Sequence, residues 1–351
     1  MNSMKLSFVT ILFVLINSCG GTSDATQLFD IQLEGKKKQF QKGQSVGVAI
    51  RNKEQKEIGE PEFSIDGQVI QRVNGKLTFN IKKLGSKTLI AKIPYDNEIV
   101  EISKNIKILA EKAPEIYTYT ISNTYPHDPS AYTQGLEFSD GVLYESTGKK
   151  GYSTLRKVNF ESGEILQTVK LEKSIFGEGI TILKDKVYQL SWQSGIGYVY
   201  NKSDLSKIES FTYGNSKEGW GLCNDGEKLF KSDGTEKIWF LDPQTLVETG
   251  HIEIVTNKSI FNRANELEYV DGKIYANVYG KESMMIIDAS SGAIQGVINF
   301  GGLKKLIDKG EQWDEQNSVL NGVAYHPERK SFFVTGKNWN KLFEVQIQKK
   351  E

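Results

Sequence analysis

The clearest strand signal in the chain is Gln134-Gly135-Leu136-Glu137-Phe138, which is followed by Asp140-Gly141-Val142-Leu143-Tyr144. The pattern is that of a short strand, a tight turn and a second strand that ends in an aromatic residue. It recurs four times, with first residues 44, 42, 45 and 56 positions apart, at Glu178, Trp220, Asn265 and Asn321. In each of the first four units, an Asp- or Ser-rich turn then separates a third strand from a fourth. Four strands in about 40 residues are typical of one blade, so the sequence predicts a five-bladed β-propeller.

The propeller is predicted to occupy residues 114–351. Its last unit lacks a fourth strand, because the chain ends near Lys350. The strand pattern at 116–122 precedes the first unit and belongs to no unit of its own. We therefore expect it to close the ring as the outer strand of the last blade. The longer connection at 301–319 is expected to hold a short helix.

The segment 30–110 carries a second set of strand patterns. Apolar and polar residues alternate along it, and turn signals occur at Asp66-Gly67, Asn74-Gly75 and Leu84-Gly85. About seven short strands in this length are typical of a small immunoglobulin-like β-sandwich. Since the segment holds no cluster of His, Cys or paired acidic residues, we interpret it as a spacer rather than a binding module. The predicted fold class of the whole chain is all-β.

Residues 1–19 have the pattern of a targeting segment. Residues 6–16 are mostly apolar but too few to span a bilayer, and Ile16-Asn17-Ser18-Cys19-Gly20 follows, which resembles a bacterial lipobox. The resemblance implies that Cys19 is lipidated and that 20–29 is a tether. It also implies that the protein is exported and anchored to a bacterial membrane, on the periplasmic or cell-surface side. An ordinary secretory signal is the alternative, and Cys223 is most simply a small buried residue.

The charge balance argues against one class of partner. Lys and Arg together number 44, as do Asp and Glu, which gives a formal net charge of zero. Binding to nucleic acid needs a surplus of positive charge, so no nucleic-acid partner is expected. The three histidines, His127, His251 and His326, are not spaced as a ligand set, so zinc is not expected either.

Equivalent residues of the five units are expected to meet around one axis, because the innermost strand of every blade borders the central channel. The first residues of the units are Gln134, Glu178, Trp220, Asn265 and Asn321. Residues at the ends of the second strands and just upstream of the inner strands join them, namely Trp192, Tyr279, Lys337, Phe176 and Tyr132. A buried carboxylate is costly unless it is paired or takes part in chemistry. The sequence therefore predicts an aromatic box that holds one acid, one base and several amides.

Six motifs of this region resemble those of the plant-type glutaminyl cyclases, also called glutaminyl-peptide cyclotransferases. They are Tyr132-Thr133-Gln134-Gly135-Leu136, Phe176-Gly177-Glu178-Gly179, Ser191-Trp192-Gln193, Gly219-Trp220-Gly221-Leu222, Asn265-Glu266-Leu267-Glu268-Tyr269 and Tyr275-Ala276-Asn277-Val278. The resemblance covers roughly residues 116–348 and implies a five-bladed propeller, in agreement with the repeat pattern.

The resemblance also implies roles for single residues. Glu178 matches the catalytic acid of the family, which moves the proton. The predicted substrate-binding residues are Gln134, Asn265, Lys337, Phe176, Trp192, Trp220, Tyr279 and Tyr132. Tyr279 stands where the family usually has a Trp, which changes the size of the aromatic wall and adds a hydroxyl group.

The implied reaction is the conversion of N-terminal glutamine to pyroglutamate with release of ammonia. The substrate amine attacks its own side-chain amide, and Glu178 acts as the general acid and base. The implied partners are peptides or proteins with an N-terminal glutamine, and no cofactor is required. Two other functions stay open, a non-catalytic propeller that binds a protein and a metal-dependent, lactonase-like hydrolase. Asn265 and Asn321 are also compatible with a structural ion in the channel.

Overall fold

The computed structural model describes residues 26–351 and consists almost entirely of strands, which confirms the predicted all-β class. The lipobox and Cys19 lie outside the described residues. The chain divides into two compact units, the first of residues 26–36, 46–77 and 88–104, and the second of residues 37–45, 78–87 and 105–351. No helix within 26–351 is both long and apolar enough to cross a membrane.

The strands that precede residue 110 form two sheets. They are β1 (Phe29–Leu33), β2 (Gln39–Gln41), β3 (Ser45–Asn52), β4 (Glu62–Ile65), β5 (Gln68–Ile70), β6 (Arg72–Val73), β7 (Lys76–Thr78), β8 (Gly85–Tyr95) and β9 (Glu98–Leu109), with a 3₁₀ turn at Glu34–Lys36. The sheet orders are β1-β3-β7-β6 and β2-β9-β8-β4-β5. In β1, Phe29, Ile31 and Leu33 are buried while Asp30 and Gln32 are exposed. This period of two is what a strand with one buried face requires.

The repeat units form sheets of four antiparallel strands. The first three sheets are β11 (Thr133–Ser139), β12 (Val142–Thr147), β13 (Thr154–Val158) and β14 (Ile165–Lys170); β15 (Gly177–Leu183), β16 (Lys186–Ser191), β17 (Ile196–Asn201) and β18 (Lys207–Thr212); and β19 (Leu222–Asn224), β20 (Leu229–Ser232), β21 (Lys237–Leu241) and β22 (Glu248–Glu253). Each sheet runs in chain order, so its first strand is followed directly by its antiparallel neighbour.

The last two units share one larger sheet of order β23-β24-β25-β26-β10-β29-β28-β27. Its strands are β10 (Glu115–Pro126), β23 (Ala264–Val270), β24 (Lys273–Val278), β25 (Ser283–Asp288), β26 (Ile294–Asn299), β27 (Leu320–His326), β28 (Ser331–Gly336) and β29 (Lys341–Lys349), with a 3₁₀ turn at Leu303–Leu306. Strand β10 pairs antiparallel with β29, from Tyr117 opposite Lys349 to Pro126 opposite Lys341. The strand expected at 116–122 therefore completes the last unit as its outer strand.

Glycines let the first strands of neighbouring units approach each other closely. The amide of Gly179 donates to the carbonyl of Trp220 at 2.6 Å. A Cβ added to Gly135 would lie 2.6 Å from the amide nitrogen of Ile180, and one added to Gly221 would lie even closer to the next unit. The fifth unit returns to the first, since the Asn321 side chain donates to a backbone carbonyl of β11 at 2.9 Å. The five inner strands β11, β15, β19, β23 and β27 thus follow one another in order around a common centre.

Apolar residues fill the junctions between successive sheets. In the junction between the first two sheets, for example, Tyr144 and Leu155 pack with Ile180 and Val187. The cluster that contains Leu136 and Phe333 joins the last unit to the first, and three further clusters fill the junctions in between. Most of the buried apolar surface of the repeat region therefore lies between sheets, which leaves the centre free for polar groups.

Carboxylates occupy part of this centre. Glu266 stands in the fourth unit where the four other units have glycine, and it is 1% exposed. Its two oxygens accept the amides of Leu136, at 3.2 Å, and Val323, at 2.8 Å. Burial raises the pKa of Glu266 well above its ordinary value. Since these amides belong to the first and fifth inner strands, Glu266 links three units across the centre.

Candidate active site

The nine substrate-binding and catalytic residues predicted from the sequence line one cavity of about 330 Å³. They are Tyr132, Gln134, Phe176, Glu178, Trp192, Trp220, Asn265, Tyr279 and Lys337, and Asn317 is a tenth lining residue. They meet because each inner strand begins, and its antiparallel neighbour ends, at the same edge of the sheet. Residues at the start of a first strand and just after a second strand therefore share one end of the centre.

Irregular pairing at the start of the inner strands turns the polar side chains toward the cavity. The pairing of β11 with β12 shifts between Thr133 and Gly135, so Gln134 is an extra residue in its strand. Equivalent shifts occur around Glu178 in β15 and Asn265 in β23. Such bulges re-aim a side chain and recur beside active sites. The three polar residues thus reach the cavity from strands that otherwise alternate regularly.

Glu178 and Lys337 are the charged groups that line the cavity, and each is only 4% exposed. Burial raises the pKa of Glu178 well above its ordinary value, while the nearby Lys337 opposes this shift. Burial likewise lowers the pKa of Lys337 to about 8, against the attraction of Glu178. Burial therefore favours the uncharged form of each group, since it raises the pKa of Glu178 and lowers that of Lys337.

Lys337 sits over two aromatic rings. Its Nζ lies 4.9 Å from the ring centre of Tyr132 and 5.5 Å from that of Tyr279. The negative face of an aromatic ring attracts a cation, so these rings stabilise the ammonium form in a place with little water. The rings hold the cation at a defined position, and no carboxylate among residues 26–351 forms a direct salt bridge with it.

Amide side chains supply the neutral polar groups. The Asn321 Nδ2 donates to the Gln134 Oε1 at 2.9 Å, and the Gln134 amide in turn donates to the Glu178 carboxylate, which opposes the rise in the pKa of Glu178. The backbone carbonyl of Asn265 accepts the hydroxyl of Ser232 at 2.7 Å, which fixes the main chain from which its amide projects. Gln134 and Asn265 are 3% and 4% exposed, so their amides belong to the cavity rather than to the outer surface.

The aromatic walls are made of rings in edge-to-face contact. Phe176 lies between Tyr132 and Trp192, with ring centres 6.1 Å and 5.5 Å away. Trp220 and Tyr279 form the other pair, with centres 5.4 Å apart. Tyr279 is 41% exposed, whereas the other four rings are half-buried, so Tyr279 stands at the cavity mouth.

Two residues of the site were missed by sequence reasoning. Glu218 does not line the cavity, but its Oε2 accepts the indole N–H of Trp192, at 2.7 Å, and of Trp220, at 2.8 Å. The signal available was an acid two positions before the Trp of the third unit. Asn317 reaches the cavity from the connection between β26 and β27, where its amide donates to Asp314 at 2.7 Å. No repeat covers this connection, so no pattern indicated Asn317.

The histidines and the remaining cysteine lie outside the cavity. His127 contacts Glu145 at 3.1 Å and the carbonyl of Trp339 at 2.7 Å, in a buried group next to the strand end that carries Lys337. Cys223 is buried, as the sequence predicted. Within 26–351, no three His, Cys, Asp or Glu side chains are grouped so as to hold a metal ion.

Comparison with known proteins assigns the chain to a family. The profile of the glutamine cyclotransferase family matches residues 95–347. A curated glutaminyl-peptide cyclotransferase of Arabidopsis thaliana is 36% identical over 226 residues, which are 64% of this chain and 69% of that relative. The crystal structure of the Myxococcus xanthus glutaminyl cyclase is 32% identical, with a TM-score of 0.63 over 68% of this chain and all of that one. All ten cavity residues fall in the matched segment, and the chain belongs to the glutamine cyclotransferase family.

Proposed function

We propose that this protein is a glutaminyl-peptide cyclotransferase, which converts the N-terminal glutamine of peptides or proteins to pyroglutamate and releases ammonia. Membership of the family and the relatives' names support the activity. The observation that carries the proposal is a buried carboxylate, Glu178, in an aromatic cavity that also holds one ammonium group and three amides. A binding surface has no use for a carboxylate that burial has made harder to ionise.

The cavity suits a glutamine side chain folded back on its own amine. Its aromatic walls exclude water from the methylene groups and favour the neutral, nucleophilic form of the amine. Because the reaction is intramolecular, the main task of binding is to select the folded conformer. Gln134 and Asn265 are the amides assigned to the substrate carboxamide. The rest of the bound peptide extends out of the cavity past Tyr279, which is exposed at the mouth.

Each bond change has a group assigned to it. The substrate α-nitrogen attacks the side-chain carbonyl carbon, and Glu178 as carboxylate takes one proton from that nitrogen. Lys337, with a pKa of about 8 and a cation at neutral pH, stabilises the negative charge that develops on the carbonyl oxygen. Glu178 then returns the proton to the amide nitrogen, the carbon–nitrogen bond breaks, and ammonia leaves. The ring product is neutral, Glu178 is again a carboxylate, and the scheme uses only side chains of this chain.

We assign the repeat region to a five-bladed β-propeller with β11, β15, β19, β23 and β27 as inner strands. The ordered contacts between these strands and the apolar clusters between successive sheets support this assignment. For the strands before residue 110 we propose an immunoglobulin-like sandwich, which two sheets of short strands support. A role as spacer is proposed for this segment.

We propose further that the protein is exported and lipid-anchored through Cys19, on the periplasmic or cell-surface side of a bacterial membrane. The apolar run and lipobox pattern of the sequence support this. A structural ion in the central channel stays a prediction, for which the amide oxygens of Asn265 and Asn321 are the nearest candidates.

The decisive test is ammonia release from a glutamine-initiated dipeptide by the full chain and by Glu178→Gln. The substitution keeps the shape of the side chain and removes the proton shuttle, so kcat/KM should fall by about 100-fold or more. Glu268→Gln is the matched control, because Glu268 is a second buried carboxylate, 7% exposed, that lies outside the cavity. Equal losses in the two variants would reject the role of Glu178, and no ammonia release by the unmodified chain would reject the activity.

A further inference from the structure

Glu218 joins two walls of the cavity that come from different sheets. Trp192 follows β16 of the second sheet, and Trp220 precedes β19 of the third. A single oxygen, the Glu218 Oε2, accepts both indole N–H groups, at 2.7 Å and 2.8 Å. An indole nitrogen can only donate, so each tryptophan has one way to be hydrogen-bonded through its ring. Bonds to an ionised acceptor are also stronger than bonds to a neutral one.

The loop that carries Glu218 is itself tied down on both sides. The amide of Gly219 donates to the carbonyl of Trp192 at 3.3 Å. The Tyr213 hydroxyl accepts the amide of Ser191 at 2.8 Å, so the residue that begins the loop is hydrogen-bonded to the end of β16. Ser216, further along, hydrogen-bonds the buried carboxylate of Glu248. Glu218 is therefore held at a defined place rather than at the tip of a free loop.

We propose that Glu218 is a positioning residue of the cyclotransfer reaction, which sets the distance and tilt of the Trp192 and Trp220 rings across the junction between two sheets. The proposal rests on the proposed function of the cavity. Neither ring is fully buried, so packing alone leaves each of them rotational freedom. The shared carboxylate removes that freedom in both rings at once and keeps the cavity at the width of one glutamine side chain.

A second effect of Glu218 is electrostatic. Within 26–351 no lysine, arginine or histidine forms an ion pair with it, so no cation neutralises its charge. The nearest catalytic group feels this charge, since Glu218 adds to the burial that raises the pKa of Glu178. A higher pKa brings a general acid and base closer to the working pH.

Two substitutions separate the two effects. In Glu218→Gln the side-chain oxygen still accepts both indole N–H groups but the charge is lost. KM should therefore stay within about twofold of the original value, while the acidic limb of the kcat/KM profile moves to lower pH. In Glu218→Leu the shared acceptor of both indole N–H groups is lost as well. Because a displacement of about 1 Å in a site costs about 100-fold, kcat/KM should fall by that factor, with KM raised.

The control is a second glutamate that accepts an indole N–H and does not line the cavity. Glu315 accepts the N–H of Trp313 at 2.9 Å and is exposed. Glu315→Gln should leave kcat and KM unchanged. The chain has five tryptophans, so the ¹⁵N spectrum of the labelled full chain has five indole signals that report on each ring directly.

The spectrum keeps the test independent of activity. Glu218→Leu should move the Trp192 and Trp220 signals and speed their exchange with water, while the other three signals, which also show that the variant is folded, stay in place. Glu315→Gln should move the Trp313 signal alone.

Unmoved Trp192 and Trp220 signals, or a Glu218→Leu variant with unchanged kcat/KM, would overturn the positioning role. An unchanged pH profile in Glu218→Gln would overturn the electrostatic one. If the unmodified chain releases no ammonia, the proposed activity fails, while the spectrum still decides whether Glu218 holds the rings.

Discussion

Replacing Gly221 with alanine tests whether the activity depends on the close approach of two neighbouring inner strands. Gly221 lies between Trp220 and β19, at the closest approach of the third unit to the fourth. An added Cβ would stand 2.0 Å from the carbonyl oxygen of Asn265 and 2.8 Å from the Cα of Glu266. Real Cβ atoms essentially never come within 3.0 Å of another heavy atom, and both neighbours here are backbone. No side chain can rotate away, so the two inner strands must separate by at least about 1 Å.

Gly221→Ala should reduce both the free energy of unfolding and the activity. Overpacking of this kind lowers the free energy of unfolding by about 1–3 kcal/mol. The activity should suffer more, because Trp220 and Asn265 flank the contact and both line the cavity. A misplacement of about 1 Å costs about 100-fold in rate, equivalent to about 2.7 kcal/mol of transition-state stabilisation. We therefore expect a variant that still folds but has lost about 99% of its kcat/KM.

The assay is ammonia release from a glutamine-initiated dipeptide, combined with denaturant unfolding of the same preparation. Gly310→Ala is the matched control, since its Cβ would meet only the Pro129 side chain, at 3.9 Å, and both properties should be unchanged. Gly221→Ala with the original kcat/KM would refute the reasoning, because the strands would then have room that the structure does not give them.

Three further predictions concern charged groups. Glu344→Leu should lower the free energy of unfolding by about 1–3 kcal/mol, measured with denaturant, because the buried Ser331 hydroxyl loses its acceptor, while the exposed Arg329 guanidinium stays hydrated. The Lys337 pKa of about 8 should set the basic limb of the kcat/KM profile, and Lys337→Arg should move that limb to higher pH, because arginine stays charged. Burial lowers the pKa of His127, but the charge and hydrogen bond of Glu145 outweigh this and raise it above its ordinary value. The charged His127–Glu145 pair should therefore contribute fully to the free energy of unfolding below about pH 6.5, and this contribution should be lost as pH rises through the raised pKa. His127→Gln should remove this pH dependence of the unfolding free energy.

The strands and the cavity residues were predictable because they repeat. A strand with one buried face alternates with a period of two, and five copies of one unit place equivalent residues at the same depth around the centre. Gln134, Glu178 and Asn265 share one position of the repeat, so a single alignment brought them together. Lys337 and Tyr279 followed in the same way from the end of the second strand. The repeat therefore predicted nine of the ten residues that line the cavity, whereas Asn321, at the same repeat position, hydrogen-bonds Gln134 and does not line it.

The parts that escaped prediction are those that no repeat describes. Glu218 belongs to the connection between β18 and β19, and its bonds to Trp192 and Trp220 depend on the path of that loop. Asn317 belongs to the long connection before β27, which has no counterpart in the other units. The bulges at the start of the inner strands are likewise set by contacts between neighbouring units. A sequence pattern predicts which residues face the centre, whereas loop paths and hydrogen bonds decide which of them touch.

Glu178 and Glu266 are both buried near the centre of the repeat region, but only Glu178 is assigned to catalysis. Glu266 accepts backbone amides of neighbouring strands at both oxygens and does not line the cavity, so a substrate bound there does not reach it. Glu178 borders an open cavity and faces Lys337, a cation that favours its ionised form. A general acid and base must be able to gain and lose a proton while in contact with the reacting atoms. Glu178 meets that condition and Glu266 does not, even though burial raises the pKa of both. The shift in pKa alone therefore does not identify the catalytic residue, and the deciding property is a carboxylate that borders the cavity.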